Sequence, residues 1–487
     1  MPCFSIIAMK KLKYLILFVF IVFVASCSDS DKEDNPPVSS NKPVLPKKEL
    51  RGVWIATVWG LDWPMDDYNA VSQKKKYTDY LDLFVQHNIN AVFFQIRGMA
   101  DAFYDSKYEP WSKYITGIAG NKPDYDVLKF LIDEAHKRDI QFHAWLNPYR
   151  ISTRANASAS FPDLDPKIPK GLTKDYEKIR IYNPALPEVQ TRITDIVKEI
   201  ITKYNVDGIH LDDYFYPSLS AGETMNDTEE YEKYGKAQFD NIDDFRRNNV
   251  NVVVKNIQKT IIDVRPDVIY SISPAANNNN NYNILFADVV KWTQEGWVDM
   301  IIPQLYFATG TGENNFNRRL DWWSQFTYNS HLAIGYGIYK FGDPKAGDKF
   351  QTSEDLKSQF ALATAKKKVK GSVLYSAKYL TENKVGITDA IKEIYNEKVL
   401  LPYLGRSKAE LPDAPAHVKV NGDNLSWSRV DGAVRYAIYK DNGKGQVATL
   451  IATTQNTSFK LPVKGVYFVT AIGKDNAESD LSELVTF

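Results

Sequence analysis

The amino-acid sequence predicts an α/β fold: a (β/α)8 TIM barrel followed by a small all-β, immunoglobulin-like sandwich. Three observations carry this. Between Leu50 and about Leu400, short β-rich runs alternate with amphipathic stretches of 3.6 periodicity, the pattern of a parallel sheet with crossover helices. Eight strand runs fall within about 350 residues, the number and spacing of a barrel with long loops. After Pro402 the hydrophobic period changes to two, with turn signals at roughly 8- to 12-residue spacing.

The strands are expected at Gly52–Thr57, Ala91–Arg97, Gln141–Asn147, Gly208–Asp213, Val268–Ser273, Met300–Tyr306, Leu332–Ile338 and Ser372–Ser376. Helices are expected around Lys74–His87, Tyr125–Arg138, Pro187–Tyr204, Lys236–Val264, Leu285–Gly296, Asn317–Tyr328, Ser353–Lys367 and Thr388–Glu397. Because the helix-facing side of a barrel strand is apolar, parity separates the two faces of each strand. Phe94 and Ile96 face helices, so Gln95 and Arg97 point in; Phe142, Ala144 and Leu146 oppose His143, Trp145 and Asn147. Likewise Ile209 and Leu211 oppose His210 and Asp212, and Ile301, Pro303 and Leu305 oppose Gln304 and Tyr306. The inward polar residues gather at C-terminal strand ends, where a barrel carries its active site.

The flanks carry different signals. From Met9 a basic segment and an apolar run lead to Val24-Ala25-Ser26-Cys27, which resembles a lipobox. The apolar run is shorter than the roughly 20 residues of a bilayer span. Residues 1–26 are therefore expected to be a lipoprotein signal peptide, Cys27 the lipidated residue, and 27–48 a flexible tether, acidic, Pro-rich and without aromatics. Acidic residues directly after Cys27 resemble a surface-export signal, so an outer-membrane lipoprotein of the cell envelope is expected, held to the membrane by lipid alone. The barrel is expected over 49–402. At 411–487, Leu425-Ser426-Trp427, Arg435-Tyr436-Ala437-Ile438-Tyr439 and Tyr467-Phe468-Val469-Thr470-Ala471 resemble a fibronectin type III domain, with a spacer role expected.

Composition excludes several classes. The 487 residues are 44% hydrophobic and 13% aromatic, and 60 basic residues balance 60 acidic ones, which is no footprint for nucleic acid. The cysteines are Cys3 and Cys27, so no disulfide framework, cysteine nucleophile or Cys-ligated zinc belongs to the fold. Six histidines form neither HxH nor HExxH, and no metal or cofactor is expected. A metal-assisted deacetylase built on His143 and His210 ranks last among the readings.

The densest chemical signal is Asp207-Gly208-Ile209-His210-Leu211-Asp212-Asp213-Tyr214-Phe215-Tyr216-Pro217. An inward carboxylate at the end of the fourth strand is placed as barrel glycosidases place a nucleophile, which makes Asp212 the first catalytic candidate, as nucleophile or electrostatic stabiliser. Asp213 has the opposite parity, but the strand ends there and the residue is free to turn into the mouth as the acid. Strands five to eight end without Asp or Glu, so the loop carboxyls Asp101, Asp105, Glu109, Glu223 and Glu313 compete for that role. Alternatively a substrate N-acetyl group is the nucleophile and one carboxyl the acid. A glycan site needs rings and fixed polar groups: Tyr104, Tyr149, Tyr214, Tyr216, Tyr306, Tyr339 and Tyr375 stand at or beyond strand ends, with Arg97, Asp101, Asn147, Arg150, His210 and Gln304 as polar partners. Trp145, Trp322 and Trp323 are expected to be packing residues. The competing class is a non-catalytic glycan-binding barrel.

The barrel region is similar to the glycosyl-hydrolase-like family ten. The carrying segments are Glu49-Leu50-Arg51-Gly52-Val53-Trp54, Phe94-Gln95-Ile96-Arg97 with Asp101-Ala102-Phe103-Tyr104, Pro110-Trp111-Ser112, His143-Ala144-Trp145-Leu146-Asn147-Pro148-Tyr149-Arg150, Asp212-Asp213-Tyr214-Phe215-Tyr216-Pro217, and Glu295-Gly296-Trp297-Val298-Asp299 running into Pro303-Gln304-Leu305-Tyr306. The resemblance implies a (β/α)8 fold and glycoside hydrolysis. Some relatives act on peptidoglycan strands stripped of peptides, which implies an N-acetylated cell-wall glycan; a monomer that needs no cofactor is expected. Ser273-Pro274-Ala275-Ala276 and the run Asn277 to Asn281 stand where many relatives have a Gly- and Trp-containing segment. Tyr214 stands where a chitinase-type motif would have its catalytic Glu.

Overall fold

Eight parallel strands close into a barrel in chain order: β1 Leu50–Ile55, β2 Ala91–Arg97, β3 Gln141–Leu146, β4 Gly208–Leu211, β5 Ile269–Ile272, β6 Met300–Ile301, β7 His331–Gly337 and β8 Val369–Tyr375. β8 pairs back onto β1, with Leu50 opposite Gly371. The structure, a computed structural model, describes residues 42–406 and 410–487. The signal peptide expected over 1–26, the lipidation expected at Cys27 and the expected tether as far as residue 41 lie outside the described residues. The tether was expected to reach residue 48, but Val44 pairs with Val447 and Lys48 Nζ lies 2.8 Å from Glu478, so its last part is docked.

Parity works as barrel geometry requires. Phe94, Ile96, Phe142, Ala144, Leu146, Ile209 and Leu211 all join the layer shared with the helices. A separate interior cluster contains Trp54, Phe93, Trp145, Ile269, Met300, Val373, Leu401 and Leu404. Small residues make room for it: a Cβ at Gly208 would lie 2.1 Å from His143 Nδ1, and one at Gly335 would lie 2.9 Å from the Trp54 ring. The crossover helices start on side-chain caps that accept backbone N–H groups, Asn69 for Ala70–Gln86, Asp126 for Val127–His136 and Asn241 for Ile242–Val264.

Two expected elements are corrected. The sixth strand ends at Ile301 rather than Tyr306, because Pro303 has no N–H for the ladder. Gln304 rejoins only through isolated bridges to Ala275 and Gly335. The helix expected over Leu285–Gly296 is Val289–Gln294, started by the Asp288 cap after Phe286 takes a positive φ of 52°. Ahead of it, the asparagine run forms a helix, Asn278–Asn283, and the buried Asn281 side chain clasps the backbone of Ala275 at 3.0 and 2.9 Å.

After β3 the chain makes a three-stranded antiparallel excursion, in which Arg150–Thr153 pairs with Ile179–Tyr182 and that strand with Thr173–Asp175. The C-terminal region holds two antiparallel sheets, one of Lys419–Asn421, Asn424–Ser426 and Ser458–Lys460, the other of Thr449–Thr454, Arg435–Asp441, Val466–Ile472 and Val485–Thr486. Leu425, Trp427, Tyr436, Ile438, Tyr467 and Val469 form its core. Its other apolar face meets Leu400, and Arg435 pairs with Asp139 at 2.6 Å in the loop that precedes β3. The sheets therefore cover the N-terminal end of the barrel and leave the C-terminal mouth open.

Candidate active site

The site is built from the ends of β3 and β4. Parallel register sets Trp145 opposite His210, and continuing it two residues brings Asn147 to Asp212. Asn147 acts as a bracket. Its Oδ1 accepts from the backbone of Arg150 at 2.8 Å and Tyr149 at 3.3 Å, which leaves Nδ2 to donate to Asp212 at 3.2 and 3.3 Å. Trp145 Nε1 donates to Asp212 Oδ2 at 3.1 Å, and the Tyr214 backbone N–H to Oδ1 at 3.3 Å. Trp145 packs in the interior cluster as expected, and its indole N–H also reaches the site, a role for which its inward parity was the available signal.

Asp213 turns toward the sixth strand. Gln304, freed from the ladder by Pro303, donates one Nε2 hydrogen to Asp213 Oδ1 at 3.1 Å and the other to the Ser273 carbonyl at 3.0 Å. Burial raises Asp212, opposed first by the charge of Arg150 and then by its hydrogen bonds. Burial and then the negative charge of Asp212 lift Asp213 to about 7. Both carboxyls are pushed up, and Asp213 keeps its proton toward neutrality.

The rim has two walls. On one, the Arg150 guanidinium lies 4.7 Å from the Tyr214 ring and 5.7 Å from the Trp59 ring, with its Nε bound to the Gly98 carbonyl at 3.1 Å. On the other, Tyr306 stacks on Tyr375 at 5.8 Å, and Tyr339 sets its ring edge-on to both. These three tyrosines are half-buried, so each keeps part of its surface toward the mouth. The arrangement offers a carboxyl pair between ring faces, the equipment for protonating an oxygen on a sugar held by stacking.

Other expected site residues lie elsewhere. Arg97 is 1% exposed, pairs with Glu109 at 3.0 Å and donates to the carbonyls of Asn147 and Pro148, so it orders the loop after β3 rather than meeting a ligand. Tyr104, Tyr149 and Tyr216 are core residues because their loops fold over them. His210 is sealed inside the barrel. The Trp54 indole, which can only donate, gives its hydrogen to His210 Nε2 at 3.1 Å, so Nδ1 carries the imidazole proton toward Ser271 Oγ at 2.8 Å. Burial drives His210 well down and His143 to about 4, and His143 stacks on Phe93 at 4.4 Å. Among the described residues no group of three metal-ligating side chains forms.

The loop carboxyls have partners other than the pair. Asp101 accepts from Met99 N at 2.9 Å, Glu223 from Glu177 N at 2.6 Å, and Glu109 is held by Arg97. Asp105 and Glu313 are exposed beside Lys122 and Arg318. Asp213 is left as the proton-bearing neighbour of Asp212.

The family described as glycosyl hydrolase-like 10 matches residues 49–352. The chain is 37% identical over 482 residues to glycosyl hydrolase YngK of Bacillus subtilis (strain 168), an alignment spanning 90% of this chain and 93% of that protein. It is 33% identical over 410 residues to glycosyl hydrolase DigH of Escherichia coli (strain K12), spanning 75% of this chain and 93% of that one. Among solved structures, the glycoside hydrolase domain of PgaB from Bordetella bronchiseptica has a TM-score of 0.45 at 12% identity, over 73% of this chain and all of that one.

Proposed function

This chain belongs to the glycosyl hydrolase-like 10 family, and from that premise we propose that it hydrolyses an N-acetylated glycan of the cell envelope, with peptide-free peptidoglycan strands as its substrate. The observation that carries the reading is Asp213, lifted to about 7 beside Asp212 at the barrel mouth. Asp213 donates its proton to the glycosidic oxygen, and the leaving sugar departs as the alcohol. Asp212, held by Trp145 and Asn147, accepts the acetamido N–H while the acetamido carbonyl oxygen bonds to C1 of the same sugar. Asp213, now ionised, takes a proton from the water that opens the resulting ring, so the anomeric configuration is retained. Two carboxyls adjacent in sequence at one strand end suit this division of labour, in which the substrate supplies the nucleophile.

In this reading the protein is a monomer carried on a lipid at Cys27, on the outer membrane. The C-terminal sheets are a fibronectin type III-like spacer beneath the barrel. The test is saccharide release from peptide-free peptidoglycan strands, with chitin and plant β-glucan oligomers alongside. Release that is lost in Asp212→Asn and absent on de-N-acetylated strands is the expected result. No turnover by wild type, with equal glycan binding by both proteins, overturns hydrolysis in favour of a glycan-binding barrel.

A further inference from the structure

We propose that Trp59 is a sugar-stacking platform away from the scissile bond, which fits the mouth to a long glycan chain rather than to a single sugar. The inference rests on the glycosidase reading of the mouth. Trp59 is 53% exposed, whereas Trp54, Trp63, Trp111, Trp145, Trp292, Trp323 and Trp427 are at most 7% exposed. An indole left half in water at the rim of a carboxyl-bearing mouth is a binding surface waiting for a flat apolar face. The C–H faces of a pyranose ring supply one.

The backbone beneath Trp59 is built to present it. Trp59 sits at φ 55° inside the Val58–Gly60 turn, a left-handed conformation that is unfavourable for a residue with a side chain. The turn is pinned from several sides. Gln95 Oε1 accepts from Thr57 N and Val58 N at 3.1 and 2.9 Å, and Gly60 N donates to the Thr57 carbonyl at 2.8 Å. Asp62, 1% exposed, ties Ala56 N to Ser376 Oγ at 2.6 and 2.7 Å and so anchors the same loop to the end of β8.

Continuity with the catalytic pair identifies the occupant. Tyr214 follows Asp213 in the chain, the Arg150 guanidinium lies against Tyr214, and Trp59 lies beyond Arg150. From Trp59 the same loop runs on through exposed Leu61, Met65 and Tyr68, and Tyr68 lies against Gly117, the neighbour of exposed Ile118. Exposed side chains leading outward from Tyr214, next to the acid, hold sugars beyond the one whose bond is cut. A substrate reaching that far is a polymer.

The experiment compares full-length wild type, Trp59→Ala and Trp59→Phe on peptide-free peptidoglycan strands and on a nitrophenyl glycoside of a single N-acetylated sugar. Trp59→Ala is expected to lose about tenfold more kcat/KM on the polymer than on the glycoside, through KM, and Trp59→Phe to restore most of it. Equal losses on both substrates, or an unchanged KM on the polymer, overturn the platform. Retardation of Asp213→Asn in gels containing the polymer, with and without Trp59→Ala, reads the platform without turnover. A wild type that cleaves nothing therefore refutes the glycosidase reading alone, whereas equal retardation of the two proteins refutes the platform alone. Loss of binding to anionic lipid vesicles with polymer binding intact would assign these exposed side chains to a membrane and also overturn it.

Discussion

Two carboxyl sites lie at strand ends on either side of β3, and they are compensated in opposite ways. At the end of β2, Glu109 faces two cations: Arg97 Nη2 at 3.0 Å and Arg192 Nε at 3.7 Å, with the Tyr182 hydroxyl 3.3 Å from both carboxylate oxygens. At the end of β4 the ratio is reversed. Asp212 and Asp213 stand side by side, and among the described residues neither has an ion pair within 4 Å, although the charge of Arg150 is felt by both. Burial raises Glu109 too, but both guanidiniums oppose it, whereas Asp212 pushes Asp213 further up. A carboxyl surrounded by cations is a fixed corner; a carboxyl beside another carboxyl is a proton site. Glu109 and Asp212 are both buried, so burial alone does not mark function. The count of charges around each carboxyl does.

The largest effect that sharpens this contrast is on turnover. Asp213→Asn keeps the Gln304 hydrogen bond and removes the transferable proton, so kcat on peptide-free glycan should fall by about 10²–10⁴-fold. Asp212→Asn should fall at least as far, with both variants folded. A variant of either kind that retains more than a tenth of wild-type saccharide release breaks the comparison. Glu109→Gln is the matched change at the other site. It leaves the Arg97 guanidinium buried without its anion, and a loss of about 3–5 kcal/mol in denaturant unfolding is expected. A Glu109→Gln protein of wild-type stability would show that this corner is not the structural one.

How far these sites could be read beforehand depends on what kind of geometry sets them. Strand parity is local, and it sets the inward direction of Trp145 and Asp212, whose side chains meet at 3.1 Å. It also aims Arg97 inward, yet parity says nothing of Glu109, which reaches Arg97 from a loop twelve residues on. The choice between ligand contact and loop bracing lies in that long-range pairing. Tyr104, Tyr149 and Tyr216 show the same limit: a position just beyond a strand end is open or sealed according to how the following loop folds back, and these three are sealed. Gln304 is the opposite case. Its reach to Asp213 follows from Pro303 ending the sixth strand early, a local rule that the longer expected strand overrode. The barrel itself is legible because its period repeats eight times.

A smaller effect probes the hydrogen bonds on Asp212. Trp145→Phe keeps an inward ring and deletes the indole N–H, leaving one buried carboxylate oxygen with a donor fewer. A cost of about 1.5–3 kcal/mol in kcat/KM is expected, since the bond is to an ionised acceptor in a dry site. The acid limb of the pH–rate profile should move upward, because a less well-bonded Asp212 is harder to ionise. Loss of activity without movement of that limb would mean that the indole acts by packing alone.

The smallest effect separates the two sites by what removing each carboxyl does to stability at high pH. The Asp213 carboxyl has a folded value of about 7 against an ordinary 3.8, so between those values the folded chain holds a proton that the unfolded chain has released. Ionising Asp213 therefore opposes folding: the penalty is absent below about pH 4, grows through that window and is complete above about pH 7. Asp213→Asn cannot ionise and escapes it. The variant should match wild type in denaturant midpoint near pH 4 and exceed it at pH 8 by about 1–2 kcal/mol, while Glu109→Gln is less stable than wild type at both. Activity should run the other way, with the wild-type basic limb falling as pH rises through about 7, because the acid form of Asp213 is being lost. An Asp213→Asn protein that gains nothing at pH 8 would mean the carboxyl is compensated like Glu109, and the proton would have to be sought elsewhere.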